Sequence, residues 1–153
     1  MFRRADLPRR LDAAVGLALR RVSDPGNLGT LVRAADALGP AFMLLSAGCA
    51  DPTGPKALRA SAGAIFRVPL GDFEDAYGFS RVALVPRDGL PLADIVLPDR
   101  VVFVLGAERK GLPDAVLAES DLVASIPQAG TAESLNVATA GAIALYEWKR
   151  RKP

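Results

Sequence analysis

Apolar residues come in short runs separated by polar and glycine-rich punctuation. Val15 to Val22, Ala41 to Ser46, Val82 to Val85, Val101 to Leu105 and Leu122 to Ile126 are each a few residues long and bounded by turn formers, the pattern of buried strands. Ile65 to Val68 reads as a further brief strand. Between these runs the apolar period changes. Leu28, Leu31, Val32, Ala35 and Leu38 fall on one face of a helix predicted over Asn27 to Leu38, which Gly39-Pro40 ends. Further helices are predicted over Lys56 to Ser61, weakly over Asp72 to Tyr77, over Pro113 to Ala118 with proline near the first position, and over Ser134 to Lys149. Strands that alternate with helices predict an α/β fold with a parallel sheet covered on both faces.

Three of the strand runs lead into polar loops. In open α/β sheets, ligands bind outside the carboxyl ends of the strands, so the three loops are expected to share one crevice. The first is Asp24-Pro-Gly-Asn-Leu-Gly-Thr-Leu-Val-Arg33. Asn27 sits where the helix should begin and can cap it, and Arg33 is a forked donor suited to phosphate near a helix start. A capped helix with a solvent-exposed arginine explains the same residues. The second loop, Leu105-Gly-Ala-Glu-Arg-Lys-Gly-Leu112, carries Gly106, Glu108 and Gly111. Its glycines allow close backbone approach, but the spacing is neither a dinucleotide fingerprint nor a P-loop. The third, from Pro127 to Asn136, offers Ser134 as an N-cap and Asn136 as an amide in the first turn of the last helix. Ala138, Ala140, Gly141, Ala142 and Ala144 make that helix narrow enough to press against another backbone.

Composition narrows the chemistry. The 153 residues, half of them hydrophobic, are most simply one domain with one core. Histidine is absent, which removes histidine metal sites and histidine-based triads. The single Cys49 cannot form an internal disulfide and reads as a small packed residue. No apolar run approaches roughly 18 residues and no signal peptide is visible, so the expected compartment is the cytoplasm, with no membrane partner. The net charge of +2 is modest, but Arg3, Arg4, Arg9, Arg10, Arg20 and Arg21 crowd one end and Lys149, Arg150, Arg151 and Lys152 the other. Such clusters either bind a polyanion or are simply solvated ends.

Taken together, the three loops resemble the motifs of the SpoU/TrmH-type RNA ribose methyltransferases of the SPOUT superfamily. Asn27-Leu-Gly-x-x-x-Arg33-x-Ala-Asp-Ala is similar to the first motif, Leu105-Gly-Ala-Glu108-x-x-Gly-Leu to the second, and Ile126-Pro with Glu133-Ser-Leu-Asn-Val137 to the third. Pro55 to Pro69 resembles the segment that connects the first two in many members. The resemblance covers residues 15 to 150.

The resemblance implies a single Rossmann-like domain over residues 15–153, with a C-terminal deep trefoil knot, after a basic extension over 1–14. It implies S-adenosylmethionine as methyl donor, no metal, and a homodimer whose site lies near the interface. The positions that match cofactor contacts are Val85, Pro86, Leu105, Gly106, Gly111, Ile126 and Leu135. Those that match the catalytic set are Asn27, Arg33, Glu108, Ser134 and Asn136. The implied acceptor is a ribose 2′-hydroxyl in tRNA or rRNA. Many such relatives carry a separate N-terminal RNA-recognition domain, and the stretch before the first strand is too short for one. An inactive RNA-binding module of the same fold and a nucleotide-binding oxidoreductase are the alternatives; the late, incomplete glycine motif disfavours the latter.

Overall fold

A computed structural model describes residues 3–152; Met1, Phe2 and Pro153, at the outer limits of the expected spans 1–14 and 15–153, lie outside the described residues. In chain order the elements are β1 (Val15–Leu19), α1 (Pro25–Leu38), β2 (Phe42–Leu45), α2 (Pro55–Ser61), β3 (Leu70–Asp72), β4 (Ser80–Val85), β5 (Leu90–Pro91), β6 (Val101–Leu105), α3 (Asp114–Ala118), β7 (Leu122–Ser125) and α4 (Val137–Arg151). The strands form one sheet in the order β3-β2-β1-β6-β4-β7-β5, and every pairing is parallel. A parallel sheet needs cover on both faces, and this one has it. Leu17, Leu19, Phe103 and Leu105 pack with Leu28 and Leu31 of α1 and Leu145 of α4 on one face. Ala18, Phe42, Val102 and Val104 form a smaller cluster on the other, closed by Phe79, Leu112 and Val116 of α3.

This arrangement fixes where the loops go. The chain leaves β1 into α1 on one face and leaves the neighbouring β6 toward α3 on the other. Segments that diverge from adjacent parallel strands open a crevice at their carboxyl ends. The loops after β1 and β6 flank that crevice, and α4 packs along α1 beside it.

Several expected boundaries shift, with local causes. The run Ile65 to Val68 is not a strand: Ala64–Phe66 is a 3-10 turn, and the sheet edge is instead Leu70–Asp72, where Met43 N donates to Pro69 O at 2.9 Å. Apolar content marked burial here, and periodicity over so few residues could not separate turn from strand. The weak helix expected at Asp72 to Tyr77 is a 3-10 turn over Phe73–Ala76. Strand β1 stops at Leu19 because Arg21 adopts φ 57°, turning the chain before Val22. The two-residue β5 follows the Pro86 to Gly89 turn and was too short to carry a pattern. Pro113 precedes α3 as its cap residue and does not occupy the first helical position.

Residues 4–9 pass beside the β3 edge. Leu7 is buried, Leu70 N donates to Pro8 O at 2.7 Å, and the Arg4 guanidinium reaches Gly71 O and the Asp72 carboxylate. Among the described residues no helix is long and apolar enough to cross a membrane.

Candidate functional site

The site begins with the way two helices start. Asp24, not Asn27, is the N-cap of α1: its Oδ1 accepts from Asn27 N at 2.8 Å, and Pro25 occupies the first turn, where no amide is needed. The Asp24 carboxyl is held below its usual range, first by that amide and also by Lys56, against the opposing effect of burial. Because the cap is supplied by Asp24, the Asn27 side chain is free for other partners. The start of α4 is also displaced from expectation. Asn136, not Ser134, caps it, with Oδ1 accepting from Ala138 N at 2.8 Å and Thr139 N at 3.2 Å.

The remaining half of the Asn136 amide joins the two helix starts. Asn136 Nδ2 donates to Asn27 Oδ1 at 3.1 Å, and Asn27 Nδ2 donates to Glu108 Oε1 at 2.5 Å. Glu108 comes from the loop after β6, so one chain of hydrogen bonds ties all three polar loops together. Its polarity is determined: an ionised carboxylate only accepts, so Asn27 must turn its NH₂ to Glu108 and its oxygen to Asn136.

The loop after β6 is tightly closed. Gly111 N donates to Ala107 O at 2.8 Å, and Gly111 sits at φ 62°. A Cβ on Gly106 would run into the backbone of Gly111 and Leu112, whereas one on Gly111 would point into open space. Gly106 is therefore required by the loop's own closure, and Gly111 is the glycine that faces outward.

Beside this network lies a cavity of about 640 Å³, within the size range of small-molecule sites. Its apolar wall includes Leu84, Val85, Leu105, Ile126, Leu135 and Val137; Pro86, Gly106 and Gly111 also line it; Glu108, Arg109, Lys110, Gln128, Glu133 and Ser134 add charge and polarity. All seven positions expected to contact the cofactor (Val85, Pro86, Leu105, Gly106, Gly111, Ile126 and Leu135) line this one cavity. Of the five expected catalytic positions, Glu108 and Ser134 line it too. Asn27 and Asn136 line a second, more open groove of about 590 Å³ between α1 and α4, with Thr30, Leu38, Ile143 and the half-exposed Tyr146. Arg33 lines neither. It is exposed on the middle of α1 and has no acidic partner among the described residues.

Sequence reading missed Gln128, Arg109 and Lys110 as lining residues. Gln128 lies just beyond Ile126, in the segment that follows β7. Its Oε1 is buried without a hydrogen-bond partner among the described residues. The basic chain ends, in contrast, are largely tied down. Arg150 and Arg151 pair with Glu147, whose carboxyl they hold below its usual range, Arg150 most strongly. Arg151 also donates to the carbonyls of Leu92, Ala93 and Ile95, and Lys152 pairs with Asp99 at 2.9 Å.

Sequence comparison matches residues 14–146 to the SpoU rRNA Methylase family. The chain belongs to that family. It is 38% identical over 149 residues to an uncharacterised tRNA/rRNA methyltransferase of Synechocystis sp., covering 92% of this chain and 54% of the relative. It is 37% identical over 138 residues to the 23S rRNA (guanosine(2553)-2′-O)-methyltransferase RlmP of Bacillus subtilis, covering 85% of this chain and 56% of the relative. An AdoMet-bound rRNA methyltransferase from Sinorhizobium meliloti superposes with a TM-score of 0.85 at 34% identity, over 97% of this chain and 60% of that one. The chain thus spans about half the length of the curated relatives it matches. The fold is that of the SPOUT methyltransferases, which implies the C-terminal trefoil knot.

Proposed function

We propose that the protein transfers a methyl group from S-adenosylmethionine to a ribose 2′-hydroxyl of tRNA or rRNA. The observation that carries this reading is the Glu108–Asn27–Asn136 chain at the side of a cavity with an apolar wall and a few charged groups. The cavity fits the donor's chemistry. Leu84, Leu105 and Ile126 offer surface for a nucleoside base, while Glu108, Glu133, Arg109 and Lys110 offer partners for a cationic sulfonium and an amino-acid end. The bound donor supplies an activated methyl group and needs no metal for that chemistry.

The chain's own residues then have a positioning task. A 2′-hydroxyl is a poor nucleophile, and holding it in line with the methyl group can supply a large part of the barrier reduction. Asn27, with its amide locked between Glu108 and Asn136, presents a fixed orientation at the start of α1. Ser134 adds a hydroxyl on the cavity side. Arg33 would grip the neighbouring phosphate and orient the hydroxyl, the task a guanidinium performs while it keeps its proton.

The reading includes a homodimer. Its support is that Arg33 lies outside its own chain's cavity on α1, the helix whose Asn27, Thr30 and Leu38 line the open groove with Tyr146. A second copy packed there would bring Arg33 to a site assembled from two chains.

The test is transfer of labelled methyl from S-adenosylmethionine into unmodified total RNA, followed by nucleoside analysis. The unmutated protein should yield a 2′-O-methylated nucleoside, and Arg33→Ala should abolish it while donor affinity stays within a few-fold. Donor binding without any incorporation by the unmutated protein would favour an RNA-binding module without activity. Loss of donor binding in Arg33→Ala would make that residue structural.

A further inference from the structure

The lysines and arginines fall into two groups. Of the nineteen in the sequence, nine form ion pairs with a carboxylate among the described residues. The paired ones include Arg4, Arg9, Arg10, Arg150, Arg151 and Lys152, so these six cations near the chain ends already share the carboxylates of Asp72, Asp12, Glu147 and Asp99. The cations without a carboxylate concentrate elsewhere. Arg20 and Arg21 follow β1, Arg109 and Lys110 follow β6, and Arg87 follows β4. These strands are neighbours in the order β1-β6-β4, so their ends lie within roughly 10 Å of one another at the usual strand spacing.

Arg20 is the most constrained of the set. Its backbone N donates to Leu105 O at 2.8 Å, which seats it beside the loop that opens at Gly106. Its guanidinium carbon lies 5.9 Å from the Phe73 ring centroid, within the range of a cation–π contact. Its Nε is buried without a hydrogen-bond partner among the described residues. A half-buried guanidinium that has an aromatic seat and no carboxylate lacks the anion that would balance its desolvation. Arg109 and Lys110, exposed on the adjoining loop, continue the positive potential from Arg20 into the lining of the donor cavity. Arg87 spends one donor on Ala132 O at 3.2 Å and so also steadies the opposite rim.

We propose that this arc is where the RNA backbone docks. The phosphodiester chain crosses the carboxyl edge of the sheet from Arg20, over Arg109 and Lys110, to the cavity, and Arg20 is a fixed fork for one phosphate. This rests on the RNA-methylating reading and assigns substrate grip to the arc, which takes Arg20 and Arg21 from the N-terminal basic cluster, and not to Arg3 to Arg10 or Lys149 to Lys152. Contacts of this kind position a strand without reading its sequence, and each adds to the salt dependence of binding.

The experiment measures binding of a short fluorescent single-stranded RNA of mixed sequence across a salt series, for the unmutated protein, Arg20→Ala, Arg20→Lys and Lys149→Ala. Lys149 is an exposed cation of the C-terminal cluster with no carboxylate partner, so it represents the rival surface. Arg20→Ala should weaken binding roughly three- to tenfold at low salt and lower the slope of log affinity against log salt by about 0.7. Arg20→Lys should recover part of both, and Lys149→Ala should change neither. Affinity for S-adenosylhomocysteine and melting temperature, measured on the same samples, should stay the same in every variant. An unchanged slope in Arg20→Ala, or a loss in Lys149→Ala instead, would overturn the arc. So would absence of RNA binding by the unmutated protein at low salt. Failure to bind S-adenosylhomocysteine would, separately, count against the donor site itself.

Discussion

Helices α1 and α4 start within hydrogen-bonding distance of each other, yet they are capped by different chemistry. In α1 the cap is the Asp24 carboxylate, three residues before Asn27, and the Asn27 amide is left to bridge Asn136 and Glu108. In α4 one side chain does both jobs: Asn136 Oδ1 caps the helix while Nδ2 holds Asn27. The lesson is that α1 gives the cap and the bridging amide to two side chains, and α4 gives both to one. A change in the cap of α1 should therefore be felt as stability, and one in the cap of α4 as stability and activity together.

The largest effect expected on this pair concerns how each helix packs. A Cβ on Gly29 of α1 would lie 2.5 Å from Ala57 O and 2.9 Å from Ser61 N, backbone atoms that cannot rotate away. Gly29→Ala should lower stability by about 2–3 kcal/mol in denaturant unfolding. A Cβ on Gly141 of α4 meets side chains and not backbone, the buried Leu31 methyl and Leu17 at 3.3 Å, which can give only by repacking. Gly141→Ala should cost less than about 1 kcal/mol, since alanine's helix propensity offsets part of the crowding. Equal losses at the two sites would show that α1 is not the more rigidly held helix.

A smaller effect should come from the caps. Asn136→Ala should lose about 1–2 kcal/mol and most methyl transfer, whereas Asp24→Ala should lose about 1 kcal/mol and keep most of its transfer. If Asp24→Ala proves as inactive as Asn136→Ala, the separation of support from function in α1 does not hold.

The smallest difference is in acid. Asp24 has a folded pKa depressed below 3.8, so its contribution is complete above that value and is lost as pH falls through the lower, folded value. The Asn136 cap does not titrate. On acidification below 3.8, amide exchange at Asn27 should speed up before exchange at Ala138. Simultaneous loss at both amides would point to global unfolding and not to release of one cap.

Much of the site was legible because it is made of short, ordered stretches. The Gly106 to Gly111 loop, the strand before it and the Glu133-Ser-Leu-Asn string occupy consecutive positions, and their cavity-lining residues came together as expected. The cap assignments slipped by a few residues because Asp, Asn and Ser are near-equal N-caps, and only the observed hydrogen bonds choose among them. Arg33 is the clearest divergence. Its spacing from Asn27 suggested a shared helix start, yet it lies two turns along α1, outside the cavity of its own chain.

The amino-acid sequence by itself determined the alternating α/β architecture, the loops that carry polar groups and the family to which the chain belongs. These follow from local periodicity and from motifs that are contiguous in the chain. Tertiary structure decided the rest: that Glu108 and Asn27, eighty-one positions apart, share a hydrogen bond, and that Arg4 and Lys152 find Asp72 and Asp99 across the fold while Arg20 meets an aromatic ring and no carboxylate. For those long-range partners, whether a charge is paired depends on which distant carboxylate the fold brings within reach, and no local pattern encodes that distance.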